Sequence, residues 1–401
     1  MRRFLFIFLA MALAPAAAAQ TGLDVATYMD MERAGSPQLS PDGTQIIYTR
    51  SYIDKINDSW ASELWIMDSD GSRKRFLTKG SSPRWSPDGS RIAYMTQGEP
   101  KGQQLFVRWM DAEGATSQIT RVPQTPSSFK WSPDGNHLAF VMLVPEKETW
   151  SIPMPAAPAG ANWTAPPRMV TKTHYRQDRR GFMAEGFTHL FVVPAEGGTP
   201  RQLTEGSWNV GARFSGLSTG AGLDWTPDGR HIVFDGLMDE APELDGFRQS
   251  YLYKVDVATK EVDQIIEQKG GWGNPVISPD GSMIAFTGHD KLEQTYHVSD
   301  LHVVNIDGSD MRNLTRSFDR DAGGLNWTSD SRSIYFTAGN EGSQNIHRAS
   351  LRGRVSDVTS GVHMLAITSM GPNKRLPAWP CPSISLWTWS PSTWAAATLP
   401  N

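Results

Sequence analysis

Apolar and polar positions along this chain alternate in short runs, and the runs come in pairs around tight turns, a pattern that predicts β-hairpins. Pro83-Arg84-Trp85 and Arg91-Ile92-Ala93-Tyr94 flank one turn; Phe129-Lys130-Trp131 and His137-Leu138-Ala139-Phe140 flank another. The turn is Ser-Pro-Asp-Gly at 40–43, 86–89, 132–135 and 278–281, Thr-Pro-Asp-Gly at 226–229, and the degraded Thr328-Ser329-Asp330-Ser331. Its chemistry suits the position. Proline pre-sets φ, aspartate accepts from local backbone N–H groups, and glycine takes φ > 0.

A second hairpin follows each first one. Leu64-Trp65-Ile66-Met67 leads through Asp70-Gly71 to Phe76-Leu77-Thr78. The same arrangement recurs from Leu105, Leu190, Leu252, Leu301 and Ile346. Four strands in roughly 46 to 52 residues is the size of a propeller blade. The turn aspartates at 42, 88, 134, 228, 280 and 330 are 46, 46, 94, 52 and 50 apart. The gap of 94 could hold an eroded blade or one blade with an insertion, and the single second hairpin between Asp134 and Asp228 favours the insertion. Residues 145–183 of that gap are rich in proline, which suits central strands poorly. The expected fold is therefore all-β, a propeller of six four-stranded blades plus an incomplete seventh over 37–370, with the insertion in blade three. Residues 20–36 form a lead-in, with a short capped helix expected near Leu23 to Arg33, ending at Gly35.

Charge and cysteine content narrow the function. The formal charge of −4 lacks the basic footprint of a nucleic-acid binder. Cys381 is the only cysteine, which excludes a disulfide framework and a cysteine-based zinc cluster. Arg2-Arg3, the apolar run Phe4 to Leu13 and Ala17-Ala18-Ala19 have the three-part layout of a secretory signal peptide over 1–19. That stretch is too short to span a bilayer comfortably, and no later one could. A periplasmic or secreted mature chain is expected.

These tandem blades resemble the N-terminal propeller of prolyl oligopeptidase family serine peptidases, especially the acylaminoacyl-peptidase and dipeptidyl-peptidase-like branch. The Tol-system periplasmic propeller carries the Ser-Pro-Asp-Gly repeat too, and a non-enzymatic interaction propeller of that kind is the alternative reading. Two features favour the peptidases. Lys172 to Phe182, followed by the Leu190 to Thr204 hairpin, is similar to an insertion of the peptidase branch. The repeats also begin at Pro37, leaving no room for the α/β domain of the Tol protein. The resemblance covers about residues 23–370 and implies a propeller that caps an α/β-hydrolase domain and filters substrates to short peptides. The hydrolase and its Ser-Asp-His machinery are expected to be absent here, so no catalytic residue is assigned and the chain alone is expected to be inactive.

Candidate chemistry is sparse. Gly216-Leu217-Ser218-Thr219-Gly220 matches G-x-S-x-G, but a nucleophile elbow needs a strand before it and a helix after it. Here the match sits in a glycine-rich connection. His297 and His302, with Asp300 between them, do not have ligand spacing for a metal and are expected at the surface or rim. No cofactor is expected. The run Asp235 to Asp245 contains Asp239, Glu240, Glu243 and Asp245; in the dipeptidyl-peptidase branch an acidic pair grips the substrate α-amine, which the resemblance carries onto Glu240 and Glu243. There is no adjacent Glu-Glu pair, and a solvated loop is the competing reading. Arg176, Arg179 and Arg180 could pair with a peptide carboxylate, with Tyr175 and Phe182 packing the cluster on the blade edge. The substrate-binding candidates are thus Arg176, Arg179, Glu240 and Glu243, and short peptides are the expected ligands.

Beyond about Gly371 the composition changes. Residues 371–401 contain six prolines, four tryptophans, the cysteine and no acidic residue, so they are not expected to pair as central strands. This segment is expected to be foreign to the fold, from a shifted reading frame or another truncation. The open ring would expose sheet edges and self-associate. Reading the coding DNA downstream of Ser369 in all three frames should reveal a frame that continues the blade; its absence, together with lower stability when 371–401 are deleted, would show that the tail belongs to the protein.

Overall fold

Each repeated turn is built by its own side chains in the computed structural model. Ser86 Oγ donates to Asp88 Oδ1 at 2.6 Å and accepts from the Arg91 N–H at 2.9 Å, while Asp88 Oδ1 also accepts from the Ser90 N–H at 3.1 Å. The same three bonds recur around Asp42, Asp134, Asp228, Asp280 and Asp330. Successive turns also touch. Gly281 has φ 74°, and a Cβ there would lie 3.2 Å from Pro227 of the preceding turn, so glycine answers both constraints. In the degraded sixth turn Ser331 takes φ 57°, and its hydroxyl accepts from the Asp280 N–H at 3.2 Å.

The structure describes residues 24–146, 186–211, 221–238, 249–294 and 296–369, with shorter stretches at 155–164, 169–170, 175–178, 181–182, 213–214, 217–218, 375–377 and 396–398. Six antiparallel sheets follow one another, each from one continuous part of the chain, so the protein is a six-bladed propeller. Blade one is Arg33–Leu39, Gln45–Asp54, Ser59–Asp68 and Arg75–Lys79. Blade two is Ser81–Trp85, Arg91–Gly98, Gly102–Trp109 and Thr116–Gln118. Blade three is Ser127–Trp131, His137–Val144, Phe187–Pro194 and Arg201–Gln202. In blade four both Asn209–Val210 and Leu223–Trp225 pair with His231–Leu237, followed by Tyr251–Asp256 and Val262–Gln264. Blade five is Gly270–Ile277, Met283–Asp290, Asp300–Asn305 and Arg312–Asn313; blade six is Ala322–Trp327, Ser333–Asn340, Ser343–Ser350 and Val355–Asp357.

The core lies between successive sheets. Ile47, Leu64 and Ile66 of blade one pack on Ile92 and Tyr94 of blade two. Leu105 and Val107 meet Leu138, Phe140 and Phe191 across the next interface. A second strand sandwiched in this way is buried on both faces, which is why Ile232-Val233-Phe234 and Ile284-Ala285-Phe286 run apolar instead of alternating.

Ties between first strands hold the blades in order. The Trp85 indole donates to the Gln38 carbonyl at 3.2 Å, Trp131 to Arg84 at 3.1 Å, Trp225 to Lys130 at 3.4 Å and Trp327 to Val276 at 2.9 Å. Blade five has Ile277 at this position, and there the Asp224 carboxylate accepts from the Ile277 N–H at 2.9 Å. Blade six meets blade one through residues 363–369. Gln344 and Met364 bridge in parallel, Leu365 and Ile367 pack on Tyr335 and Ile346, Gln38 Nε2 donates to the Thr368 carbonyl at 3.0 Å, and the Leu39 N–H to Ser369 Oγ at 2.9 Å. Among the described residues this seam stands where the opening of a seventh blade was expected.

Two details differ from the sequence expectation. The helix covers only Val25–Met29, capped by Asp24, and Arg33 already opens blade one by pairing with Ser51. Ladder pairing outweighs the weak local preference of so short a helix. In the tail, Arg375–Pro377 pairs with Ala396–Thr398, a short sheet that admits proline because Pro377 stands at a strand end. The presumed leader 1–19 lies outside the described residues, as does most of the tail. Among the described residues no helix is long and apolar enough to cross a membrane.

Trp131→Phe keeps a packed ring but removes the indole bond to the Arg84 carbonyl; a loss of about 1 kcal/mol in urea unfolding is expected. The turn aspartates give a pH dependence of known sign. Hydrogen bonds from Ser86 and Ser90 hold Asp88 down to about 2. A depressed carboxylate stabilises above its unfolded value and loses that contribution as pH falls through the folded one. Stability should therefore fall between about pH 4 and pH 2, and the fall should be shallower in Asp88→Asn.

Candidate functional site

Strand direction alternates within a blade, so the repeated turns, which join first to second strands, all lie on one end of the ring. The second-to-third connections, and the links from one blade to the next, lie on the opposite end. The long excursions are there, on adjacent blades. In blade three the last ladder pair is Val144 with Phe187, and residues 145–186 leave the sheet between them. In blade four residues 211–222 and 238–250 lie between ladder strands. In blade five residues 291–299 do so.

Of the sequence candidates, Arg176 lies among the described residues. Arg176 is exposed and opens a small hairpin in which Arg176 pairs with Phe182 and Gln177 with Gly181. Tyr175 and Phe182 stack on each other with ring centroids 5.9 Å apart, and both stay about half exposed. The hairpin brings these rings to each other. Arg179, Glu240 and Glu243 lie outside the described residues, but the chain on either side of them leaves blades three and four at the same end.

The roots of these excursions are pinned by buried polar groups. Asp235 is almost fully buried on the second strand of blade four, and its carboxylate accepts from the Gly222 N–H at 3.0 Å and the Asn274 N–H at 2.9 Å. One side chain thereby fixes the end of the 211–222 excursion to the first strand of blade five. The sequence grouped Asp235 with a solvated acidic run; the signal overlooked was a carboxylate directly continuing the apolar Ile232-Val233-Phe234. Asp224 has a comparable role, pairing with Lys130 at 2.6 Å.

The other motifs resolve as follows. Ser218 lies in the two-residue strand Leu217–Ser218, paired with Arg213–Phe214, so the G-x-S-x-G match is a miniature hairpin and not a strand-to-helix elbow. His302 is not at the rim. It is buried, stacked on Phe286 with centroids 5.5 Å apart and edge-on to Trp272 at 5.1 Å, and burial lowers its pKa. Its strand position faces the next sheet, which overrides its polarity. His297 stacks on His289 at 4.3 Å. Among the described residues no group of three or more His, Cys, Asp or Glu side chains is arranged to hold a metal ion. A cavity of about 500 Å³ on blade six contains His347, whose Nδ1 lies 2.9 Å from Asp357 Oδ1, but the ring is wedged between Phe318 and Phe336. Among the described residues no hydroxyl or thiol side chain is hydrogen-bonded to that ring.

Comparison with known proteins finds this propeller similar to the propellers of several peptidases. Residues 163–295 match the family described as the dipeptidyl peptidase IV N-terminal region. Dipeptidyl-peptidase 5 of Porphyromonas gingivalis is 26% identical over 186 residues, covering 45% of this chain and 27% of the relative. Dipeptidyl-peptidase 5 of Arthroderma otae is 28% identical over 131 residues, covering 29% and 17% respectively. Among solved structures, Pyrococcus horikoshii acylaminoacyl peptidase superposes with a TM-score of 0.64 at 18% identity, over 88% of this chain and 50% of that one. The propeller domain of the Trilobed protease from Pyrococcus furiosus superposes with a TM-score of 0.58 at 16% identity, over 87% and 89%. The chain thus spans about half of the acylaminoacyl peptidase and about a quarter of the bacterial relative.

Asp235→Ala should cost roughly 2–4 kcal/mol in urea unfolding, because it strands buried backbone donors of two blades. Asp228→Ala, in a solvated turn, should cost about 1 kcal/mol. Equal losses would show that Asp235 anchors nothing.

Proposed function

We propose that the chain carries the propeller domain of a prolyl oligopeptidase-family peptidase and selects short peptides for an exported peptidase of this family. One observation carries the reading. The excursions of blades three and four share one end of the ring, and on them lie an arginine cluster, Arg176 and Arg179, and an acidic run with Glu240 and Glu243. Opposite charges on neighbouring excursions suit the two termini of a short peptide: carboxylates for the α-amine, guanidinium groups for the carboxylate. A longer polypeptide offers only one terminus at a time and gains half of these contacts. Export belongs to the same reading and rests on Arg2-Arg3, the following apolar run and Ala17-Ala18-Ala19.

The propeller contributes recognition and not bond cleavage, since Ser218 has no elbow geometry and the His347–Asp357 pair is bonded to no nucleophile among the described residues. Calorimetric titration with Ala-Ala-Phe and its N-acetylated form tests the reading. Acetylation should weaken binding about tenfold, and Glu240→Gln/Glu243→Gln should erase the difference. Equal binding of both peptides by the unmodified chain would reject the amine-gripping role. Aminoacyl and acylaminoacyl reporters should not be turned over; turnover that disappears in Ser218→Ala would overturn the recognition-only assignment.

A further inference from the structure

The first strands place one residue per blade immediately before the tie position: Gln38, Arg84, Lys130, Asp224, Val276 and Asn326. Three are charged. Lys130 and Asp224 neutralise each other at 2.6 Å. Arg84 stands apart: Nη1 donates to the Pro83 carbonyl at 2.9 Å, and no carboxylate among the described residues pairs with it. Arg84 is partly buried, and this desolvation lowers the guanidinium pKa from its ordinary value. An arginine remains protonated in a protein, so its charge persists at the cavity wall without a carboxylate partner among the described residues.

Arg84 lines a cavity of about 350 Å³ between blades two and three. Ser82 and Ser128, from equivalent first-strand bulges, line it too, with Phe129 and Met95 as its apolar side. Gln103 also lines it, from the start of the third strand of blade two. The backbone presenting the guanidinium is fixed, because the Arg84 carbonyl accepts the Trp131 indole at 3.1 Å. The cavity also lies toward the excursion end of the ring: its lining comes from the start of the first strands, the third strand's start at Gln103, and Met95 well along the second strand.

We propose that this cavity binds the carboxylate of an N-acylated amino acid as a second carboxylate site, separate from Arg176 and Arg179, with Arg84 as the charge partner. The guanidinium supplies paired donors of the geometry that a carboxylate accepts. The serine hydroxyls add short-range donors, and Phe129 and Met95 face the side chain. The proposal does not rest on Arg176, Arg179, Glu240 or Glu243.

Calorimetry on the full chain with N-acetylphenylalanine and N-acetylphenylalaninamide tests it. Neither probe has a free amine, so the result is independent of the amine-gripping test above. The acid should bind at least tenfold more tightly than the amide. Arg84→Met should reduce the acid to the amide's level, Arg84→Lys should retain part of the preference, and Arg176→Ala/Arg179→Ala should leave it intact. Should Arg84→Met fail to fold, hydrogen exchange on the unmodified chain reads the same site: the acid, and not the amide, should protect residues 125–131. Equal affinity for the two probes, no saturable binding of the acid at millimolar concentration, or a preference that survives Arg84→Met would overturn the proposal. Loss of the preference in Arg176→Ala/Arg179→Ala would overturn it too, by moving the carboxylate to the blade-three insertion.

Discussion

Everything in this protein depends on holding one first strand against the next. A four-stranded blade has two apolar faces and cannot bury either by itself, so its stability comes from its neighbours. Before four of the six turns the residue is a tryptophan, whose indole N–H reaches the preceding first strand and fixes the spacing at which the faces interlock. Tryptophan suits this task because its ring fills the interface while its single donor reaches a backbone carbonyl of the neighbouring blade.

Where the device is missing, the chain substitutes another. Blade five has Ile277, and the Asp224 carboxylate reaches across to its backbone N–H. Blade one has Leu39, and its N–H is met by Ser369 from the opposite end of the chain. These substitutions bring polar and charged groups into the inner ring. Lys130 and Asp224 satisfy each other, whereas Arg84 is left facing a cavity. A structural requirement of the ring thus sets the place at which binding chemistry becomes available.

The division of labour between the two ends follows from the same geometry. Repeated turns are tied by their own hydroxyl and carboxylate groups and touch their neighbours, so that end has little freedom to vary. The opposite end carries the connections that no such turn constrains, and there blades three, four and five lengthen. Loops on a rigid scaffold are where recognition residues accumulate.

By itself the sequence determined the blade, because a turn needs Ser, Asp and Gly at fixed offsets and a sandwiched strand needs consecutive apolar residues. Both are local conditions, written in the residues that meet them. It also located the insertion in blade three, since proline cannot serve a central strand. Tertiary structure alone decided the rest. His302 reads as a rim residue until Trp272 and Phe286 are seen to enclose it. Asp235 reads as part of an acidic run until the N–H groups of Gly222 and Asn274 converge on it. Arg84 reads as an ordinary strand residue until Lys130 is seen to take Asp224. Burial and charge balance are sums over neighbours distant in the chain, and no single stretch of sequence contains them.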